Sequence, residues 1–97
     1  MTKYRVGYLY EQEVRKLLEN TGYYVVRSAG SKGFFDLVAF NSNSIRLIQV
    51  KKRGKLSPKQ KTEFQVIFDK LPPNATIEVW GKQNGKWVMD KLFPLDE

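Results

Sequence analysis

The stretch Phe35-Asp36-Leu37-Val38-Ala39-Phe40, then Asn41-Ser42-Asn43-Ser44, then Ile45-Arg46-Leu47-Ile48-Gln49-Val50-Lys51 decides the fold. Both outer runs are rich in β-branched and aromatic residues, and the four small polar residues between them are turn formers. The stretch therefore reads as two strands, Phe35 to Phe40 and Ile45 to Lys51, joined as a hairpin. Its ends come together near Asp36 and Lys51. Side chains alternate along a strand, so Gln49 and Lys51 point the same way while Val50 points into the core. Asp36 precedes Gln49 by 13 residues and is carried beside it. A carboxylate, an amide and an ammonium group thus converge at one strand end.

Upstream, Val6, Tyr10, Val14, Leu17 and Leu18 recur at three- and four-residue steps, which predicts a helix over Lys3 to Asn20. Gly22 suits the left-handed position after its last turn. Tyr23 to Arg27 reads as a strand, and Ser28 to Gly33 as a loop of small residues. Downstream, Ser57-Pro58 has the form of an N-cap followed by proline at the first helical position. The helix it opens carries Phe64, Ile67, Phe68 and Leu71 on one face and stops at Pro72-Pro73. Ala75 to Trp80 and Lys86 to Met89 form a last strand pair around the hairpin dipeptide Asn84-Gly85. The order α-β-β-β-α-β-β gives an α/β or mixed α+β fold with helices on one sheet. No linker or repeat divides the chain, so residues 1–97 are expected to form one domain. Leu92-Phe93-Pro94-Leu95 is left as an apolar tail with few obvious core partners.

The missing residue types narrow the chemistry. With no Cys and no His, thiol nucleophiles, disulfides, zinc clusters and imidazole bases are excluded. Any metal must sit on oxygen ligands, which favours Mg²⁺ or Mn²⁺. No apolar run reaches the length of a membrane span, and the first residues lack a signal-peptide core, so an intracellular, cytoplasmic protein is expected. Seventeen Lys and Arg against ten Asp and Glu leave a formal charge of +7, which suits a polyanionic partner.

Asp36, Gln49 and Lys51, with a carboxylate from the Glu11-Gln12-Glu13 segment, make a set suited to phosphodiester hydrolysis. A hard cation stabilises the charge developing on phosphate and lowers the pKa of a bound water, and a lysine positions or deprotonates that water. Taken singly, each residue also reads as a solvated surface charge. A carboxylate framed by Phe34, Phe35 and Leu37, however, is costly without a partner. By 100° steps Glu13 lies nearer the apolar stripe of the first helix than Glu11, so helical geometry favours Glu13 as the helix carboxylate.

Gly7-x-x-x-Glu11, Gly22-Tyr-Tyr-Val-Val-Arg-Ser-Ala-Gly-Ser-Lys-Gly33, Phe35-Asp36-Leu-Val-Ala-Phe40 and Leu47-Ile-Gln-Val-Lys-Lys52 together resemble the archaeal Holliday junction resolvases of the PD-(D/E)XK nuclease superfamily. The resemblance covers nearly the whole chain. It implies a restriction-endonuclease-like mixed central sheet with flanking helices. It also implies a Mg²⁺-dependent endonuclease, Mn²⁺ substituting, that cuts branched DNA such as four-way junctions. Carried over by position, it makes Glu11 the helix carboxylate in preference to Glu13, Asp36 the central metal ligand and Lys51 the catalytic lysine. Ser31 becomes a loop serine near the scissile phosphate, and Gln60 a helix glutamine near the site. The chain departs from the pattern twice. Phe35 replaces the motif proline, and Gln49 replaces the usual Glu, so a neutral carbonyl oxygen stands where a second negative charge is expected.

Lys51, Lys52, Arg53, Lys55, Lys59 and Lys61 place six positive charges in eleven residues directly after the Gln-x-Lys strand. They read either as a solvated loop and helix start or as a DNA-backbone track that Arg5, Arg27 and Lys32 extend. No element resembles a base-reading helix, so recognition by DNA shape is expected. Two symmetric cuts at a junction imply a two-fold homodimer. Two other readings are a related nuclease acting on flaps, ends or duplex DNA, and a junction-binding protein weakened catalytically by Gln49.

Overall fold

In the computed structural model, residues 3–28, 35–51 and 57–94 are described, with side chains from residue 8 onward. The elements are α1 (Lys3–Asn20), β1 (Tyr24–Arg27), β2 (Leu37–Phe40), β3 (Ile45–Lys51), α2 (Pro58–Phe68), β4 (Ala75–Gln83) and β5 (Lys86–Phe93). This is the element order expected from the sequence. The strands form one sheet in the order β1-β2-β3-β4-β5. Every neighbouring pair is antiparallel except β3 and β4, which run parallel in the register Ile48↔Glu78. Parallel strands need a long crossover, and α2 lies in that connection.

Alternation along β3 sorts the two layers. Ile48 is fully buried against Val14 and Leu18 of α1, with Val25, Leu37 and Ala39 completing that cluster. One residue away, Leu47 packs with Phe64 of α2, Ile77 and Phe93 on the opposite face. The sheet is therefore covered by α1 on one side and α2 on the other. α1 ends where Gly22 takes φ +95. The hairpin between β4 and β5 turns through Asn84 (φ 51) and Gly85 (φ 76), the two left-handed residues that a two-residue turn of this hand requires.

At α2, Ser57 Oγ accepts from the Gln60 backbone N–H at 3.2 Å, while Gln60 Oε1 accepts from the Ser57 N–H at 3.1 Å. This is a reciprocal capping box. Ser57→Ala should cost about 1 kcal/mol in urea unfolding; an unchanged midpoint would show that the cap contributes nothing.

Several expectations are corrected, and α2 ends at Phe68, short of Leu71. Tyr23 lies outside β1, its hydroxyl 3.2 Å from Ser44 Oγ. β2 begins at Leu37 rather than Phe35, because the Asp36 side chain is turned onto the β3 backbone. The final strands run on to Gln83 and Phe93, since polar residues continue a hairpin whose outer side faces solvent and Lys82 folds back over the Tyr10 and Trp87 rings. The apolar tail is core: Phe93 is buried against Phe64 and Ile77 and stacks on Phe68 with centroids 5.4 Å apart. Leu95 lies outside the described residues. Leu17, assigned to the apolar stripe of α1, is 43% exposed.

Candidate active site

Asp36 sits where β2 begins. Its backbone N–H donates to the Ile48 carbonyl at 2.9 Å, which extends the hairpin ladder by one rung. Its Oδ2 accepts from the Val50 N–H at 2.8 Å, so the carboxylate is held over the backbone between Gln49 and Lys51. Burial is the main influence on its pKa and raises it above the usual carboxylate range. The Val50 N–H partly offsets this, the Glu11 charge adds to it, and Arg27 and Lys51 act against it. Groups from α1, β1, β2 and β3 thus share one electrostatic neighbourhood.

Glu11 reaches this neighbourhood from α1. Its Oε1 accepts from Arg27 Nε at 2.8 Å, in a pair whose side chains keep only 16% and 21% of their exposure. Glu13 is placed differently: it pairs with Lys82 Nζ at 2.9 Å on the exposed side of the helix, 45% accessible. The centre of the α1 stripe, Val14 and Leu18, packs on β1, β2 and β3, and the two carboxylates leave it on opposite flanks, Glu11 toward Arg27 of β1 and Glu13 toward Lys82 of β4. Gln49 is half-buried, and its Oε1 is the buried side-chain acceptor without a hydrogen-bond partner among the described residues. A buried carbonyl oxygen left unsatisfied is unfavourable unless something beyond these described residues supplies a donor or a cation.

Of the other candidate residues, Lys59 and Lys61 are exposed at the start of α2, and Gln60 is half-buried with its amide oxygen used in the capping box. Arg27, expected on the basic track, is turned inward onto Glu11 and stacks over the Tyr8 ring at 4.7 Å. Ser31, Lys32, Lys52, Arg53 and Lys55 lie outside the described residues, as does the side chain of Arg5. Among the described residues no group of three or more His, Cys, Asp or Glu side chains could hold a metal ion, so the set offers two carboxylates and one amide oxygen.

Sequence reasoning missed a second polar cluster. Glu78, 2% exposed, accepts from Arg46 Nε and Nη2 at 2.8 and 2.7 Å, from Thr76 Oγ1 at 2.7 Å and from Trp80 Nε1 at 2.9 Å. Burial alone would raise its pKa, but these four donors together hold it below the usual range. The signal was present. A lone Arg in β3 and a lone Glu in β4 interrupt apolar runs of the kind that parallel strands covered on both faces require.

A mixed sheet with an acidic residue entering one strand, Gln-x-Lys leaving the next and a carboxylate from the first helix defines the restriction-endonuclease-like class. The sequence pattern of the archaeal Holliday junction resolvase (Hjc) family matches residues 2–66, and the chain belongs to that family. It is 43% identical over 53 residues to the crossover junction endodeoxyribonuclease Hjc of Methanocaldococcus jannaschii, a match over 55% of this chain and 39% of that protein's length. The fold is similar to that of Hjc from Archaeoglobus fulgidus, a Holliday junction resolvase of an archaeal hyperthermophile, with a TM-score of 0.65 and 25% identity. That match covers 94% of this chain and 76% of the Archaeoglobus protein. No described helix is long and apolar enough to cross a membrane.

Proposed function

We propose that residues 1–97 act as one nuclease domain that hydrolyses phosphodiesters at branched DNA, four-way junctions above all, with Mg²⁺ or Mn²⁺ as cofactor. The observation that carries this reading is the buried Gln49 Oε1, without a hydrogen-bond partner among the described residues, one residue from the Val50 N–H that holds an Asp36 carboxylate whose burial disfavours its charge. An orphaned buried oxygen and a desolvated carboxylate are both relieved by a hard cation. Glu11, Asp36 and Gln49 would hold it, and when bound it supplies charge stabilisation on phosphate and a more acidic water. Lys51, on the same side of β3 as Gln49, carries a positive charge next to the attacked phosphate and orients the water. Lys59 and Lys61 extend the contact with the DNA backbone, together with the basic residues 52–55. One such site cuts one strand, so paired cuts at a junction require a two-fold pair of chains.

The reading is tested with a synthetic four-way junction in Mg²⁺ or Mn²⁺. Paired nicks are expected, lost in Lys51→Ala. Gln49→Glu should lower the metal concentration for half-maximal cutting on the order of tenfold, because it adds a negative ligand. Equal cutting of linear duplex would move the substrate from junctions to DNA in general. Tight junction binding without cutting in any divalent ion, for the native chain and Gln49→Glu alike, would leave only a binding protein.

A further inference from the structure

The carboxylate pair already has a cation of its own. Arg27 donates through Nε to Glu11 Oε1, is close enough to Asp36 to favour its charged form, and has its guanidinium carbon over the Tyr8 ring, 4.7 Å from the centroid. A planar guanidinium held between a carboxylate and an aromatic ring keeps its orientation better than the flexible ammonium of a Lys. Counting formal charges, Glu11 and Asp36 contribute two negative charges, Arg27 and Lys51 two positive ones, and Gln49 none. Among the described residues these charges balance.

We propose that Arg27 is the resident counter-ion of this pocket, held by Tyr8: it fixes the orientation of Glu11 and at the same time holds down the pocket's affinity for a divalent cation until a DNA phosphate adds negative charge. The inference rests on the metal-site reading above. A divalent ion entering beside Glu11 meets a guanidinium a few ångströms away, and at protein-surface dielectric that repulsion is worth several-fold in affinity even after screening. Arg27 therefore does two opposed things, and removing it should separate them.

The test is Mn²⁺ binding to the DNA-free protein, read from loss of the free-Mn²⁺ electron paramagnetic resonance signal, alongside single-turnover junction cutting at saturating Mn²⁺. Arg27→Gln should bind Mn²⁺ about three- to tenfold more tightly yet cut more slowly, since Glu11 is no longer oriented. Arg27→Lys, which keeps the charge, should stay within about twofold of the native affinity. Unchanged or weaker Mn²⁺ binding by an Arg27→Gln protein with a native circular dichroism spectrum would overturn the proposal. Should that variant fail to fold, Tyr8→Leu decides: it loosens the guanidinium and should shift affinity in the same direction by a smaller amount, and a shift the other way would overturn the idea. Asp36→Asn separates the two layers of inference. Mn²⁺ binding that survives Asp36→Asn removes the metal site itself; binding lost there but insensitive to Arg27→Gln removes only the counter-ion role.

Discussion

Asp36→Asn is expected to abolish junction cutting, by on the order of a thousandfold or more, while leaving the protein as stable as the native chain or slightly more so. The two halves of this result have one cause. Asp36 is a carboxylate drawn into a partly buried position, where desolvation disfavours its charge and the nearby Glu11 disfavours it further. The one side-chain hydrogen bond it makes among the described residues, from the Val50 N–H to Oδ2, is one that an asparagine carbonyl accepts equally well. The substitution therefore removes a charge the fold tolerates at a cost and keeps the contact the fold uses. Cutting assays with matched thermal melts check it. Native-like cutting would remove Asp36 from the chemistry, and a collapse in melting temperature would make it a structural residue.

The largest effect on stability is expected at Glu78. Four donors converge on a side chain that is 2% exposed, and Glu78→Ala would strand all of them, including the Arg46 guanidinium lodged over the Tyr23 and Trp80 rings. Removing one member of a buried pair typically costs about 3–5 kcal/mol, and for a chain of this size that lowers the melting temperature by roughly 12 °C or more. The sign of the pH dependence follows from the lowered pKa. A carboxyl whose folded value lies below its unfolded one contributes its full stabilisation above the unfolded value, near 4.3, and loses it as pH falls through the folded value. Melts from pH 7 down to pH 3 should thus show a decline in the native chain below about pH 4 that is reduced in Glu78→Gln. Parallel curves for the two proteins would mean that another group dominates acid unfolding.

How much of this was legible from residues alone differs from place to place. The hairpin from Leu37 to Lys51 and both helix starts were readable, because period-two alternation and the Ser57-Pro58 cap act locally. The pairing of β3 with β4 was not, since a parallel pair is made across a crossover and leaves no mark in spacing. Asp36, Gln49 and Lys51 could be brought together on paper because a tight hairpin fixes its own register. Helical angle favoured Glu13 over Glu11; in the folded chain the two differ by their partners, Arg27 for Glu11 and Lys82 for Glu13, both remote in sequence. The burial of Phe93 was missed for a related reason, as its partners Phe64 and Ile77 come from elements that meet only in the folded chain.

The anchoring of α1 has a consequence for precision. Tyr10 meets Trp87 edge-on at 5.5 Å, and Lys82 spans the gap to Glu13, so the turn of helix that bears Glu11 is bolted to the outermost hairpin of the sheet. On the other flank Arg27 ties Glu11 itself to β1, at the opposite rim. The carboxylate is thus stayed from both edges of the sheet, like a mast to port and starboard, and a change at either edge would be felt at Glu11.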